Sequence, residues 1–201
     1  MFAAPRFSLA AACAAAFIGA SGADAQSVAA PAVPAAVAPT PAPPPPEIEV
    51  GRIAPEFTME WADSSGARSK PVTLSQLRGK VVVLAFYPAD RSSGCTHELT
   101  KFRDEYAKMF GLGTVVIGIS NDSIASHVSW AQTMKFPFAL GSDPQLAVAR
   151  QYGSWVSGRG YASRTVFVIG KDGRILWRNL KFGALNETAY TELAAEVAKA
   201  Q

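Results

Sequence analysis

The residue of this sequence that is best suited to covalent chemistry is Cys95, which follows a short polar loop. The loop comes after an apolar, β-branched run over 81–87 that ends at Pro88 and is typical of a strand buried on both faces. Ser93 and Gly94 permit a sharp turn, which places Cys95 in the first turn of the next helix. Unpaired backbone N–H groups and the helix dipole favour a thiolate there, so we predict a reactive thiol rather than a buried inert one.

The N-terminus has the pattern of an export signal. Arg6 precedes an apolar stretch, and small residues at 23 and 25 form a cleavage pattern, so a signal peptide is predicted over 1–25. The apolar stretch is shorter than the ~20 residues that cross a bilayer, which predicts no stable membrane insertion. An uncleaved anchor and lipidation at Cys13 are the alternatives. We expect a periplasmic or secreted protein.

The rest of the chain divides into a linker and one domain. Residues 26–46 are almost entirely Ala, Pro and Val, a composition that predicts a disordered, semi-rigid linker. Residues 47–201 mix apolar runs with charges and turn residues, and are long enough for one buried core. The net charge of +3 comes from scattered Lys and Arg without a basic block, so no nucleic acid partner is expected.

The domain shows the patterns of an α/β fold. Apolar residues recur at three- and four-residue intervals from Leu99 to Phe110, which predicts a helix that ends near Gly111. The later elements are marked by a strand over 115–119, a helix with the stripe Ile124, Val128, Ala131 and Met134, a short helix after Asp143-Pro144, a hairpin over 165–178, and a helix through Tyr190, Leu193 and Val197. This order predicts a central mixed β-sheet with helices on both faces, the thioredoxin-like class.

The loop before Cys95 also carries a family signature. The segment from Pro88 to Cys95 matches Pro-x-x-x-Thr/Ser-x-x-Cys, with Ser92 at the hydroxyl position. On these residues the chain resembles the peroxiredoxins, the alkyl hydroperoxide reductase and thiol-specific antioxidant family. Within that family, Gly94-Cys95-Thr96 is most similar to the bacterioferritin-comigratory, or Q-type, subgroup.

Two further segments extend the resemblance over about residues 50–180. Residues 53–57 look like the opening segment of the family. Residues 164–169, followed by the turn 171–173, look like its second active-site segment, whose arginine would be Arg164. The resemblance implies a thioredoxin-like fold and a thiol-dependent peroxidase that reduces hydrogen peroxide or organic hydroperoxides. It implies no cofactor and no metal.

The resemblance gives five residues a role. Cys95 would attack a peroxide oxygen and become a sulfenic acid, and Ser92 would hydrogen-bond the thiolate and the peroxide. Pro88 would shield Cys95, Arg164 would hold the thiolate and polarise the peroxide, and Glu98 would orient Arg164. Ionising a thiol lowers the barrier by only about 2 kcal/mol, so donors to the breaking O–O bond have to supply most of the acceleration. The alternatives are structural: a capping serine, a strand-ending proline, an exposed arginine and a first-turn glutamate.

The sequence departs from many Q-type relatives at Thr100, where those proteins carry a resolving cysteine. Without Cys13 the mature chain has one cysteine and cannot form an internal disulfide. We therefore expect a one-cysteine cycle with an external thiol reductant, either a thioredoxin-like protein or a small thiol. A disulfide between two copies of Cys95 is the alternative, which leaves a homodimer open.

Two other classes of protein share the predicted fold. A thioredoxin-fold thiol-disulfide exchange protein needs two cysteines near the helix start, but only Cys95 is there. A non-catalytic redoxin-like binding module would group cysteine, methionine and histidine ligands, whereas His97 and His127 are far apart in the sequence. Both histidines are predicted to lie on the surface.

Overall fold

The computed structural model describes residues 48–201. The signal peptide predicted over 1–25 and the linker predicted over 26–46 lie outside the described residues. The strands are β1 (Thr58–Asp63), β2 (Gly66–Ala67), β3 (Val72–Thr73), β4 (Val82–Phe86), β5 (Val115–Ser120), β6 (Ala139–Ser142), β7 (Thr165–Ile169) and β8 (Ile175–Asn179). The helices are α1 (Ser93–Asp104), α2 (Tyr106–Phe110), α3 (Ile124–Met134), α4 (Ala147–Gln151) and α5 (Glu187–Ala200), and a 3-10 helix covers Leu74–Leu77.

Strand β4 lies at the centre of a mixed sheet, as predicted. The strand order is β2-β1-β6-β5-β4-β7-β8, with β3 paired to β1. Strand β4 is parallel to β5 and antiparallel to β7, and all five of its residues are buried. Since both neighbours of β4 are strands, its carboxyl end lies well inside the sheet, and the loop to Cys95 begins there.

Helices cover both faces of this sheet, which confirms the thioredoxin-like class. Alternate residues of the β4 segment point to opposite faces: Val83 and Ala85 join a core with α1, α3 and α5, while Leu84 and Phe86 join a core with α4. The first core contains Cys95 itself. Cys95 therefore lies in the packed layer between the sheet and these helices.

The helix predicted from Leu99 to Gly111 is two helices. It ends at Gly111 as predicted, but Glu105 breaks it between α1 and α2, with a backbone φ of −107° that is not helical. Lys101 and Lys108 both donate to the Glu105 carboxylate, at 2.8 and 3.0 Å. The bend brings Phe110 edge-on to Phe102, and these tertiary contacts are not visible in the helical periodicity.

Helix α3 begins where predicted, but its buried face is only partly the predicted one. Ser123 caps the helix and accepts a hydrogen bond from the Ser126 backbone N–H. The fully buried residues of the helix are His127, Trp130 and Ala131. Of the predicted stripe only Ala131 is fully buried, and the other three residues are half-buried. The prediction that His127 lies on the surface is wrong, because this side chain is completely buried and has a buried carboxylate as its partner.

The sequence did not predict β6, but the elements that follow β6 come in the predicted order. Strands β7 and β8 form the expected antiparallel hairpin, and α5 packs its predicted apolar face into the core. Helix α4 begins later than expected, at Ala147, and the Asp143 carboxylate accepts hydrogen bonds from the backbone N–H groups of Ala147 and Ala149. Across residues 48–201, no helix combines the length and the apolar character that a membrane span requires.

Candidate active site

Cys95 lies in the first turn of α1, at the carboxyl end of β4. Ser92 immediately precedes the helix in an extended conformation, and its carbonyl accepts the Thr96 backbone N–H at 2.8 Å. The side chain of Cys95 has no exposed surface. The sulfur nevertheless has a polar contact, because Arg164 Nη2 donates to Cys95 Sγ at 3.3 Å.

The sheet register explains how Arg164 reaches the sulfur. Strand β7 is antiparallel to β4 and pairs Thr165 with Phe86, so Arg164 lies beside the point where the chain leaves β4. The guanidinium joins two groups: Nη2 contacts the sulfur of Cys95, and Nη1 forms a hydrogen-bonded ion pair with Glu98. Arg164 is therefore not the ordinary exposed arginine of the structural alternative.

Glu98 lies one turn after Cys95 and is completely buried. Burial raises the pKa of Glu98 to about 7, although the charge and hydrogen bond of Arg164 act in the opposite direction. Within residues 48–201 the second oxygen, Oε1, has no hydrogen-bond partner. Burial by itself would lower the pKa of Arg164, but Glu98 and Cys95 raise it, so the guanidinium stays charged.

Gly94 lies beside the Arg164 guanidinium, a contact that the sequence did not indicate. The sequence predicts a turn at Gly94, but this residue lies inside α1 and its φ is not positive. A Cβ atom at this position would lie 3.1 Å from Arg164 Nη2 and 4.0 Å from the Ala184 side chain. The absence of a side chain therefore leaves room for the guanidinium beside the helix.

Ser92 and Pro88 occupy the loop between β4 and α1. The Ser92 hydroxyl donates to the Ala89 carbonyl at 3.0 Å, and it makes no side-chain cap to the helix. Pro88 is half-buried and follows Tyr87 directly after the strand. The contact of Ser92 with the thiolate and the shielding of Cys95 by Pro88 stay predictions.

The same loop contains a buried acid, Asp90, that the sequence did not single out. Its side chain is only 2% exposed and accepts hydrogen bonds from Tyr87, Ser126 and His127. Burial would raise the pKa of Asp90, but the hydrogen bonds from His127, Ser126 and Tyr87 lower it, so Asp90 is a carboxylate. No local pattern could have revealed this cluster, since its partners on α3 lie 36 and 37 residues away.

Comparison with known proteins shows the family to which this chain belongs. The sequence model of the AhpC/TSA family matches residues 50–178, which include the whole site. The chain is a member of the AhpC/TSA family, the peroxiredoxins. Peroxiredoxins are thiol-dependent peroxidases, so this protein is an oxidoreductase that uses a cysteine thiol to reduce a peroxide. A disulfide exchange protein or a binding module is not favoured.

Curated relatives place this peroxiredoxin in the Bcp or Q type, as the loop motif indicated. It is 39% identical over 142 residues to a Bcp peroxiredoxin of Coxiella burnetii, which covers 67% of this chain and 91% of the relative. Peroxiredoxin Bcp of Bacillus subtilis is 33% identical over 142 residues, covering 67% and 87%. Chloroplastic peroxiredoxin Q of Triticum aestivum is 43% identical over 107 residues, covering 53% of this chain and 47% of the plant protein.

Solved structures agree on the fold of this peroxiredoxin. The crystal structure of AhpC from Enterococcus faecalis superposes with a TM-score of 0.66 at 26% identity and covers 76% of this chain and 95% of its own. Peroxidoxin BcpB from Mycobacterium tuberculosis gives a TM-score of 0.64 at 28% identity, covering 77% and 99%. The mixed sheet and its helices are thus the architecture of known peroxiredoxins.

Proposed function

We propose that this peroxiredoxin reduces hydrogen peroxide or organic hydroperoxides by a one-cysteine cycle, in which an external thiol regenerates Cys95. The observation that carries the proposal is the Cys95 sulfur 3.3 Å from the Arg164 guanidinium, with no second cysteine in residues 48–201. Thr100 occupies the position where many Q-type relatives have a resolving thiol. An internal disulfide between Cys95 and a second cysteine of this domain is therefore unavailable.

The oxidation step forms one S–O bond and breaks one O–O bond. The Cys95 thiolate supplies the electron pair to the nearer peroxide oxygen, and the farther oxygen leaves as hydroxide or alkoxide and takes up a proton to give water or an alcohol. Cys95 is left as a sulfenic acid, two electrons more oxidised. Arg164 stabilises the charge that builds up on the oxygens as they separate, and Glu98 keeps the guanidinium in place.

Regeneration requires two equivalents of thiol. A first thiolate attacks the sulfenic sulfur and forms a mixed disulfide, and the hydroxide that leaves takes up a proton to become water. A second thiol then displaces Cys95 by thiol-disulfide exchange. A thioredoxin-like protein can supply both thiols from one dithiol, and a small thiol needs two molecules. If the predicted signal peptide directs export to the periplasm or medium, this reductant has to be present there. A homodimer linked through two Cys95 residues is the competing route.

The test is chemical trapping of the oxidised cysteine. The protein carrying Cys13→Ser is treated with hydrogen peroxide and dimedone, and the adduct is located by mass spectrometry. We expect one dimedone adduct, at Cys95, and none when Cys95→Ser is added. Non-reducing gels then separate the routes: a monomeric sulfenic acid supports the one-cysteine cycle, whereas a disulfide-linked dimer contradicts it. The unmodified chain, run in parallel, shows whether Cys13 takes part.

A further inference from the structure

The loop 88–92 is tied to α3 by a buried polar cluster. The Asp90 carboxylate receives the Tyr87 hydroxyl at 2.8 Å, the Ser126 hydroxyl at 2.6 Å and His127 Nδ1 at 3.0 Å. The Asp90 backbone N–H donates to the Asp122 carboxylate at 2.8 Å. Residues in α3 and next to it therefore hold both the side chain and the backbone of Asp90.

His127 is the member of this cluster that packing alone does not explain. It is completely buried on the inner face of α3, and in the described part of the chain its Nε2 has no hydrogen-bond partner. An apolar residue would fill such a site at least as well, because buried polar pairs lose hydration that their mutual attraction only partly offsets. What the imidazole adds is a directed donor to Asp90.

The neighbouring residue strengthens the same attachment. Arg91 adopts a left-handed backbone conformation, with φ +60°, that is uncommon for a side chain of this kind. Its guanidinium donates to the Ser126 and Ser129 hydroxyls at 2.9 and 3.1 Å. Asp90 and Arg91 thus hold the loop in a conformation that the chain would not adopt readily without α3.

We propose that His127 is a positioning residue of the peroxidase, which acts through Asp90 to hold loop 88–92 against the Cys95 site. Asp90 lies two residues after Pro88 and two before Ser92, so its attachment sets the backbone that carries both. The proposal rests on the proposed function, since it assigns a shape to the peroxide-binding loop. The hydrogen bonds of the His127 side chain within residues 48–201 go to Asp90 and not to Cys95.

Loss of this attachment should affect two reactions of Cys95 in opposite directions. Peroxide reduction needs donors fixed around the breaking O–O bond, so a loosened loop slows it. Alkylation needs only access to the sulfur, which has no exposed surface in this structure, so a loosened loop accelerates it. A purely structural role for His127 predicts lower global stability without this divergence in the folded protein.

The experiment compares His127→Leu, which keeps the volume but removes the donor, with His127→Asn, whose amide can still donate near the position of Nδ1. We expect His127→Leu to lower the second-order rate constant for hydrogen peroxide about tenfold or more, and to raise the rate of iodoacetamide alkylation. The Asn variant should recover both rates to within about threefold of wild type. Equal rates in the Leu variant and the wild type, or in the Leu and Asn variants, would overturn the proposal.

Two controls keep the result interpretable. Tyr152→Phe removes a buried hydroxyl that donates to the Pro55 carbonyl at 2.7 Å on the opposite face of the sheet, and should lower stability without changing either rate. If His127→Leu does not fold, Arg91→Ala replaces it, because this side chain is 47% exposed and should shift both rates in the same directions by a smaller factor. Failure of the wild type to form any sulfenic acid would refute the proposed function instead.

Discussion

The buried carboxyl of Glu98 makes the stability of the domain depend on pH in a direction opposite to that of most acids. Its pKa is about 7 in the folded protein against an ordinary value of 4.5, so folding favours the protonated form. The corresponding stability is fully present below pH 4.5 and is lost as the pH rises through 7. A difference of this size amounts to about 3 kcal/mol between about pH 4 and pH 8.

The perturbation that isolates this effect is Glu98→Gln. The amide keeps an oxygen for Arg164 and nearly the same volume, but it cannot ionise. Urea unfolding of both proteins at a series of pH values gives the difference in their free energies of unfolding. We expect that difference to move by about 3 kcal/mol in favour of the Gln variant as the pH rises from about 4 to 8. Titrating groups that do not interact with Glu98 cancel in the comparison.

Two features sharpen the interpretation. Tyr190 also faces Glu98, but burial first and Glu98 second raise its pKa, so it stays neutral over this range. Glu192→Gln, at an exposed position of α5, serves as the matched control and should show no such pH dependence. If the free energies of wild type and Glu98→Gln run parallel from pH 4 to pH 8, the carboxyl does not titrate near 7, and our account of its burial is wrong.

Two further changes test the guanidinium. Arg164→Ala should slow Cys95 oxidation by peroxide about a hundredfold, and it should also destabilise the protein in urea unfolding, because a buried Glu98 loses its partner. Adding Glu98→Gln to this variant should restore the stability but not the oxidation rate. If the oxidation rate also recovers in the double variant, Arg164 is excluded from the mechanism. Gly94→Ala should displace the Arg164 side chain and slow Cys95 oxidation severalfold. The control Gly160→Ala adds a methyl group in open space and should leave the oxidation rate unchanged. Equal oxidation rates of the two alanine variants would argue against the tight contact at Gly94.

Local sequence was enough to predict several elements of this protein and to single out Cys95 as the candidate nucleophile. The β-branched run of β4, the loop from Pro88 to Cys95 and the β7–β8 hairpin depend on neighbouring residues, so their types and spacing were enough to predict them. The same loop motif indicated the family, and the comparisons confirmed it. Arg164 and Glu98 were predicted as partners only through the family resemblance.

Tertiary structure decided which side chains meet and which are buried. The antiparallel register of β4 and β7 brings Arg164 to the Cys95 sulfur, 69 residues away in the sequence. The guanidinium then lies so close to α1 that only a glycine at position 94 leaves room for it. His127 was predicted to lie on the surface, but it is buried beside Asp90, a partner that lies outside its own helix. Burial of a polar group depends on contacts between distant segments, and a local pattern contains no information about them.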